Sequence, residues 1–318
     1  MIKLSQRLQN ICDLVPCGVR ICDVGCDHAY VDIRLLQEGK VTHALAMDVA
    51  DGPLATARSN LELTELLLAE QDICRDSCDA ESARSDFGDH AAAEREDARC
   101  ELRKSDGLAA YVPGEADVMI CAGMGGILMR SLLEAEPEKA LSFREMILSP
   151  HREVHLVREW LCANDCVIAE ERFFQDEGKY YTVLRALCPQ ESGVRPLQKR
   201  PDWDELADQV RKLPEETLQR AMVKREQLCR ILEDKSFRKT AEAAFGPCVL
   251  AEYLSNRSEG ESSHCFDLYV REKLQGKLRL LQKLAESPNG ENTGNRLQEL
   301  SGEIGELQVM LAIHRLLA

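Results

Sequence analysis

Acids and glycines at the ends of apolar runs carry the chemistry open to this chain. Val19-Arg-Ile-Cys-Asp-Val-Gly-Cys-Asp-His-Ala-Tyr30 is a short apolar run that ends in an acidic, glycine-containing turn and opens a helix. Asp48 and Asp106 stand at the ends of later runs, and Ile120-Cys-Ala-Gly-Met-Gly-Gly126 closes another in glycines. Gly25 lets the backbone turn sharply under a ligand, and the helix behind it points its first N–H groups at the bound molecule. A dinucleotide site would carry two further glycines where Asp27 and Tyr30 stand here, and a carboxylate in that place repels a diphosphate. S-adenosylmethionine has no phosphate and carries an ammonium and a sulfonium, which Asp23 and Asp27 attract. The charges favour a methyl donor over NAD or ATP. On this stretch alone, a parallel strand with a tight turn and no ligand stays open as the plainer alternative.

The elements that must position these residues follow from hydrophobic spacing. Leu4, Leu8, Ile11, Cys12 and Val15 recur at helical intervals, and Pro16 and Gly18 close that leader helix before the first strand, Val19 to Val24. A crossover helix is expected from about Ala29 to Gln37, capped by Gly39, and then a second strand from His43 to Asp48. Asp48 lies about twenty residues past the first turn, where doubly wound folds place an acid on ribose hydroxyls. Asp51 is the expected N-cap of the next helix, with Pro53 in its first turn. Further strands are expected at 100–107, 117–126 and 146–150. A helix follows from Val154 to Cys162, and then an antiparallel hairpin built from 167–170 and 179–186. This pattern predicts an α/β, doubly wound Rossmann-like sheet in which the strand ends at Asp23, Asp48, Asp106 and Ala122 line one crevice.

The chain has 318 residues, 44% of them hydrophobic, enough for two domains. No apolar run has membrane-spanning length, and the first residues enter a helical pattern without a signal-peptide core, so a cytoplasmic protein with no membrane partner is expected. A net charge of −15 argues against bulk affinity for nucleic acid but leaves room for a local basic face. The closest pairs among the 14 cysteines, Cys22/Cys26, Cys74/Cys78 and Cys162/Cys166, have C-x-x-x-C spacing, which fits neither zinc nor thioredoxin chemistry. They read as reduced, buried small hydrophobes, and no metal is expected. From about Gln71 to Arg99 acids outnumber bases and large apolar residues nearly vanish, the composition of a mobile, solvated insertion.

A first domain is expected over 1–189 and a helical one over 190–318. In the latter, Leu274, Leu278, Leu281 and Ala285 are set to face Leu297, Leu300, Ile304, Leu307 and Leu311 in an antiparallel coiled-coil hairpin. Arg271, Lys273, Lys277, Arg279 and Lys283 on its first helix form either a solvated face or a contact for RNA phosphates.

Taken together, Asp23-Val-Gly-Cys-Asp-His-Ala-Tyr30, Met47-Asp-Val-Ala-Asp-Gly-Pro53, Ser105-Asp-Gly-Leu108, Ile120-Cys-Ala-Gly-Met-Gly-Gly126 and Gly178-Lys-Tyr-Tyr181 resemble the bacterial tRNA (adenine-22-N1) methyltransferase family. The likeness runs on through His155-Leu-Val-Arg-Glu-Trp-Leu161 and Phe245-Gly-Pro-Cys-Val-Leu250 to the terminal hairpin, which is similar to that family's coiled-coil domain. It implies a class I methyltransferase fold, S-adenosyl-L-methionine as cofactor, and tRNA as the partner methylated on N1 of an adenine.

The common methyltransferase arrangement then implies roles for particular residues. Asp23, Gly25, Asp27, Asp48, Asp106, Gly107, Ala122 and Gly123 would hold the cofactor. Asp27 would stabilise the cationic ring that N1-methylation leaves, with His28 and Tyr30 in support. Met124, Gly125 and Gly126, together with Ser149 and His151, would meet the target adenine, and Arg271, Lys273 and Lys277 the tRNA. Ser149-Pro-His151 departs from the family's Gln-Pro followed by Asn or Met, which points to a different hold on the base. The residues also leave open a small-molecule or protein acceptor, or a non-catalytic RNA- or partner-binding protein on the same fold. Monomer and homodimer are equally open.

Overall fold

The computed structural model describes residues 2–64, 66, 99–189, 199–220, 224–254, 261–286 and 293–317. Most of the acidic stretch at 71–99 lies outside them. The chain divides into two compact units, one of Met1–Arg172 with Tyr181–Gln198 and one of Phe173–Tyr180 with Lys199–Ala318.

The first unit opens with α1 (Gln6–Leu14), whose first turn is closed by Ser5 Oγ accepting from the Leu8 N–H at 3.4 Å. It ends at Val15, held extended before Pro16, which disfavours the helical conformation in the residue ahead of it. There follow β1 (Val19–Val24), α2 (Tyr30–Gln37), β2 (Val41–Asp48), α3 (Asp51–Leu63), β3 (Arg99–Lys104), β4 (Val118–Ala122), α4 (Gly126–Ala135), α5 (Pro137–Ser142), β5 (Glu145–Ser149), α6 (Val154–Ala163), β6 (Val167–Asp176) and β7 (Lys179–Leu187). The helix cap expected at Asp51 falls one residue earlier. Ala50 is the N-cap, its N–H satisfied by Asp48 Oδ1 at 2.9 Å, and Asp51 is free to pair with Lys104 at 2.7 Å.

Among the described residues the sheet has seven strands in the order β3-β2-β1-β4-β5-β7-β6, and β7 runs antiparallel to β5 while β1 to β5 pair in parallel. The expected doubly wound architecture is present. Such a sheet is covered on both faces, which is why Ile21, Ala44, Ile120, Ile147 and Leu148 are fully buried within near-continuous apolar runs. Burial of each large side chain is worth about 1.5–3 kcal/mol. The chain reverses direction between β1 and β4, whose register sets Asp23 beside Ile120 and Val24 beside Cys121, and the crevice of a doubly wound sheet opens at the carboxyl ends of these two strands.

The second unit contains α7 (Trp203–Lys212), α8 (Glu215–Arg220), α9 (Arg225–Glu233), α10 (Lys235–Phe245), α11 (Pro247–Leu254), α12 (Glu261–Glu286) and α13 (Thr293–Leu317). Its core gathers Trp203, Val210, Leu228, Phe237, Leu250, Tyr253, Phe266 and Met310, with Phe173 from the hairpin tip. Tyr253 stacks on His314 at 3.9 Å, and the His314 ring Nδ1 lies 2.9 Å from the Tyr253 carbonyl.

The two long helices pack on each other, as the leucine spacing predicts, but the α12 seam differs from expectation. Val270, Leu274, Lys277, Leu281 and Leu284 are its buried or half-buried positions, whereas Leu278 is 41% exposed. Lys277 occupies a seam position because its stem covers apolar surface while its ammonium pairs with Glu303 on α13. On α13, Leu300, Ile304, Leu307 and Leu311 are buried as expected. The side chain of Ala285 lies outside the described residues.

Candidate active site

The first turn is built on unusual backbone. Gly25 has φ +80, and its N–H and that of Cys26 both donate to the Met47 carbonyl, at 2.8 and 3.0 Å, which ties the turn to the end of β2. Asp27 (φ 52) and Ala29 (φ 57) are left-handed. That region suits glycine, is tolerated by Asp, and costs an alanine about 1–2 kcal/mol. The consequence is a tight reversal that projects the Asp27 carboxylate outward, its side chain 71% exposed, with the His28 Nε2 at 3.5 Å. Asn60 Nδ2 holds the His28 carbonyl at 3.0 Å, and the Tyr30 ring stands 5.6 Å from the His28 ring. Asp48 joins the same turn, its Oδ2 accepting from the Asp27 N–H at 3.4 Å.

Asp23, expected to face a ligand, is instead buried against Asp32 of α2. Two adjacent carboxylates have no hydrogen to share unless one is protonated. Burial, the nearby Asp32 and then Asp48 and Asp27 hold Asp23 well above the ordinary carboxylate range. Burial also pushes Asp32 up to about 6. Between an unfolded value near 4 and that folded value, the native state binds the extra proton, so stability falls as pH rises through the window. Asp32→Asn supplies the missing donor without a charge. It is expected to raise Tm at pH 8 and to flatten the dependence of Tm on pH between 4 and 7. Thermal melting across that range checks this, and an unchanged slope would show that the pair does not share a proton.

At the end of β4, glycines allow loops to meet. The Gly126 N–H donates to the Arg152 carbonyl at 2.9 Å, and the His151 N–H to the Met124 carbonyl at 2.9 Å. A Cβ on Gly126 would run into the backbone carbonyl oxygens of Glu153 and, at 2.7 Å, of Arg152. Backbone cannot swing aside as a side chain can. Gly126→Ala is therefore expected to destabilise the protein by about 1–3 kcal/mol, read from urea denaturation. Met124 reaches back over the first turn, its methyl 3.2 Å from where a Cβ on Gly25 would stand and its sulfur 3.6 Å from the Cys121 sulfur. Gly123 has φ +83, and the His151 Nε2 lies 4.0 Å from where its Cβ would stand.

Ser149 is buried and donates through Oγ to the Thr182 carbonyl at 3.2 Å, so its hydroxyl braces β5 against β7. Ala122 is half-buried at the end of β4. Asp106 is exposed just past β3, and Gly107 beside it has φ +55, with Leu132 filling the space a Cβ would need. The structure thus brings Gly25, Asp27, His28, Tyr30, Asp48, Asp106, Gly107 and the loop from Ala122 to Gly126 to the carboxyl ends of the parallel strands. These groups offer exposed carboxylates to a ligand's cations and hydroxyls, and bare backbone for close approach.

Asn60 reaches the His28 carbonyl, Tyr181 the His151 ring and Arg7 the Tyr181 ring. Nothing in the sequence assigns these three a role, although Tyr181 closes the Gly178-Lys-Tyr-Tyr181 motif. In the helical unit, Arg271 pairs with Asp267, Lys277 with Glu303, and the Lys273 ammonium lies 5.3 Å from the centre of the Tyr269 ring.

A doubly wound sheet with an acidic, glycine-bearing first turn defines a nucleoside-cofactor type of fold. The family model described as "Methyltransferase domain" matches residues 4–79 and 66–184, and the chain belongs to that methyltransferase family. It is similar to the tRNA (adenine(22)-N(1))-methyltransferase of Bacillus subtilis (strain 168), with 30% identity over 185 residues, which are 58% of this chain and 65% of that protein. The match thus spans just under two thirds of that relative. The crystal structure of the B. subtilis m1A22 tRNA methyltransferase TrmK has a TM-score of 0.65 at 22% identity, covering 98% of this chain and 100% of that one. M. capricolum TrmK in complex with S-adenosyl-homocysteine has a TM-score of 0.61 at 16% identity, covering 98% of each chain. These likenesses show a shared fold. Among the described residues, no helix is long and apolar enough to cross a membrane.

Proposed function

We propose that this protein is a cytoplasmic enzyme that transfers a methyl group from S-adenosyl-L-methionine to N1 of an adenine in tRNA, at position 22 in the D-arm region. The observation that carries the reading is the first turn, where left-handed backbone presents the exposed Asp27 carboxylate beside bare Gly25. The name of the B. subtilis relative and the S-adenosyl-homocysteine bound to M. capricolum TrmK agree with it.

The residues fit the cofactor. Gly25 and Gly107 hold backbone that a side chain would strain or crowd, Asp48 ends β2 where ribose hydroxyls are accepted, and exposed Asp106 has acceptors for an adenine amine. Asp23 acts from beneath, through its pairing with Asp32, and Asp27 faces the amino-acid end. Ala122 and Gly123 wall the cofactor from the β4 side. When bound, S-adenosyl-L-methionine supplies an electrophilic methyl.

Adenine N1 already has a lone pair in the ring plane, so the protein's task is alignment more than proton removal. Met124, Gly125 and Gly126 offer an apolar, close-fitting wall for the base. The base must leave its stack to reach this depth. Asp27 offsets the positive charge that develops on the ring, while His28 and Tyr30 set the position of its carboxylate. In the helical unit, Arg271, Lys273 and Lys277 contact tRNA phosphates by competing with Asp267, Tyr269 and Glu303 for their cations.

The test is methyl transfer from labelled S-adenosyl-L-methionine to unmodified tRNA, with the product nucleoside identified by mass spectrometry. Formation of 1-methyladenosine at position 22 is the expected result. Donor binding without transfer to any tRNA would remove RNA as the acceptor.

A further inference from the structure

Asp27, Asp48 and Asp106 place three carboxylates at the ends of β1, β2 and β3. The region of β4, β5 and β7 holds the Glu153 carboxylate, its Oε2 3.6 Å from where a Cβ on Gly125 would stand, and with it rings and a guanidinium. These come from three distant parts of the chain: Arg7 in α1, His151 after β5 and Tyr181 in β7. Tyr181 stands in the middle. Its ring meets the His151 ring edge-on, 5.8 Å between centroids at 89°, and the Arg7 guanidinium carbon lies 5.9 Å from its centroid. His151 is anchored through its backbone to Met124, its imidazole is exposed, and its Nε2 faces the side-chain-free Gly123.

We propose that His151, Tyr181 and Arg7 recognise the acceptor nucleotide, with the base stacked against the His151–Tyr181 pair and the adjoining phosphate taken by Arg7. The proposal rests on RNA being the acceptor. An unstacked RNA base is recognised by aromatic faces and arginine planes, which this trio supplies. In a chain of net charge −15, a phosphodiester entering the crevice is repelled by the carboxylate side and needs a cation on the other. Ser149 has its hydroxyl committed to Thr182, so contact with the base from this loop falls to His151. The His151 Nε2 lies 4.0 Å from where a Cβ on Gly123 would stand, so a base stacked on that imidazole borders the glycine-bearing loop at the end of β4.

The test compares wild type with Tyr181→Leu, Tyr181→Phe, His151→Ala and Arg7→Gln. Steady-state kinetics are measured on an unmodified tRNA transcript, tRNA binding is followed over a salt series, and S-adenosyl-L-methionine binding is measured by calorimetry. Loss of stacking in Tyr181→Leu and His151→Ala is expected to raise KM for tRNA by roughly 5- to 100-fold. Tyr181→Phe keeps the ring and is expected to stay within about twofold of wild type. Arg7→Gln is expected to lower the slope of log affinity against log salt by about 1. Donor affinity is expected to be the same in all four variants. Unchanged KM and salt slope in the variants would overturn the proposal, as would donor affinity falling in step with tRNA affinity, since that marks a general disturbance of the fold. Should the wild type itself transfer no methyl to tRNA, the acceptor reading fails, and this failure is seen before any variant is made.

Discussion

Asp27→Asn is expected, under the proposed function, to lower kcat on tRNA by about 10²–10³-fold, the loss typical of removing one group that stabilises charge in a transition state. Asparagine is the informative replacement because it tolerates the left-handed backbone at φ 52 and keeps the shape of the side chain while removing its charge. In the free protein this carboxylate is well hydrated, with 71% of its side chain exposed, so it contributes little to folding. Its influence grows when a substrate closes over it and excludes water. Thermal stability should therefore move by no more than about 0.5 kcal/mol while turnover collapses. Single-turnover transfer at saturating donor and tRNA measures the effect. A rate near that of wild type would leave alignment alone as the source of catalysis and would assign Asp27 to binding.

The second large effect is on stability and lies away from the strand ends. Arg158 on α6 donates through Nε to Glu171 Oε1 of β6 at 2.8 Å, and their side chains are 4% and 0% exposed. Arg158→Met takes the Nε donor and its charge away from a carboxylate whose side chain is fully buried, and its expected cost is about 3–5 kcal/mol. The paired replacement Arg158→Met with Glu171→Leu removes both charges and is expected to recover most of that loss, because a buried ion pair repays little more than its own desolvation. Urea denaturation of the two variants checks this. A single variant as stable as wild type would mean that Glu171 is satisfied without its arginine.

The strands, the crossover helices and the carboxyl-end crevice are legible because parallel strands buried on both faces read as continuous apolar runs, and glycines mark where they stop, whereas the order β3-β2-β1-β4-β5-β7-β6 is set by the tertiary structure. Gly25, Asp27, Asp48, Asp106 and the loop from Ala122 to Gly126 stand at strand ends, as this pattern predicts. Asp23 shows where the pattern fails. A carboxylate at the end of a strand looks the same in sequence whether it faces a ligand or the interior, and the deciding neighbour, Asp32, lies on a helix nine positions away. The α12 seam shows a second failure, since apolar pattern alone favoured Leu278 where packing selected Lys277, whose cation reaches Glu303. Arg7 and Tyr181 were invisible as a pair for a third reason, being separated by most of the first unit's length.

The sequence by itself determined that this chain forms a doubly wound sheet with an acidic first turn unsuited to a diphosphate, because strand burial, helix periodicity and the sign of a charge are local properties of residue type and spacing. Tertiary structure alone decided which acids are exposed, which are buried in pairs, and which distant rings and cations share one edge of the crevice. Those outcomes depend on solvation and on contacts between elements far apart in the chain, and no single stretch of sequence encodes them.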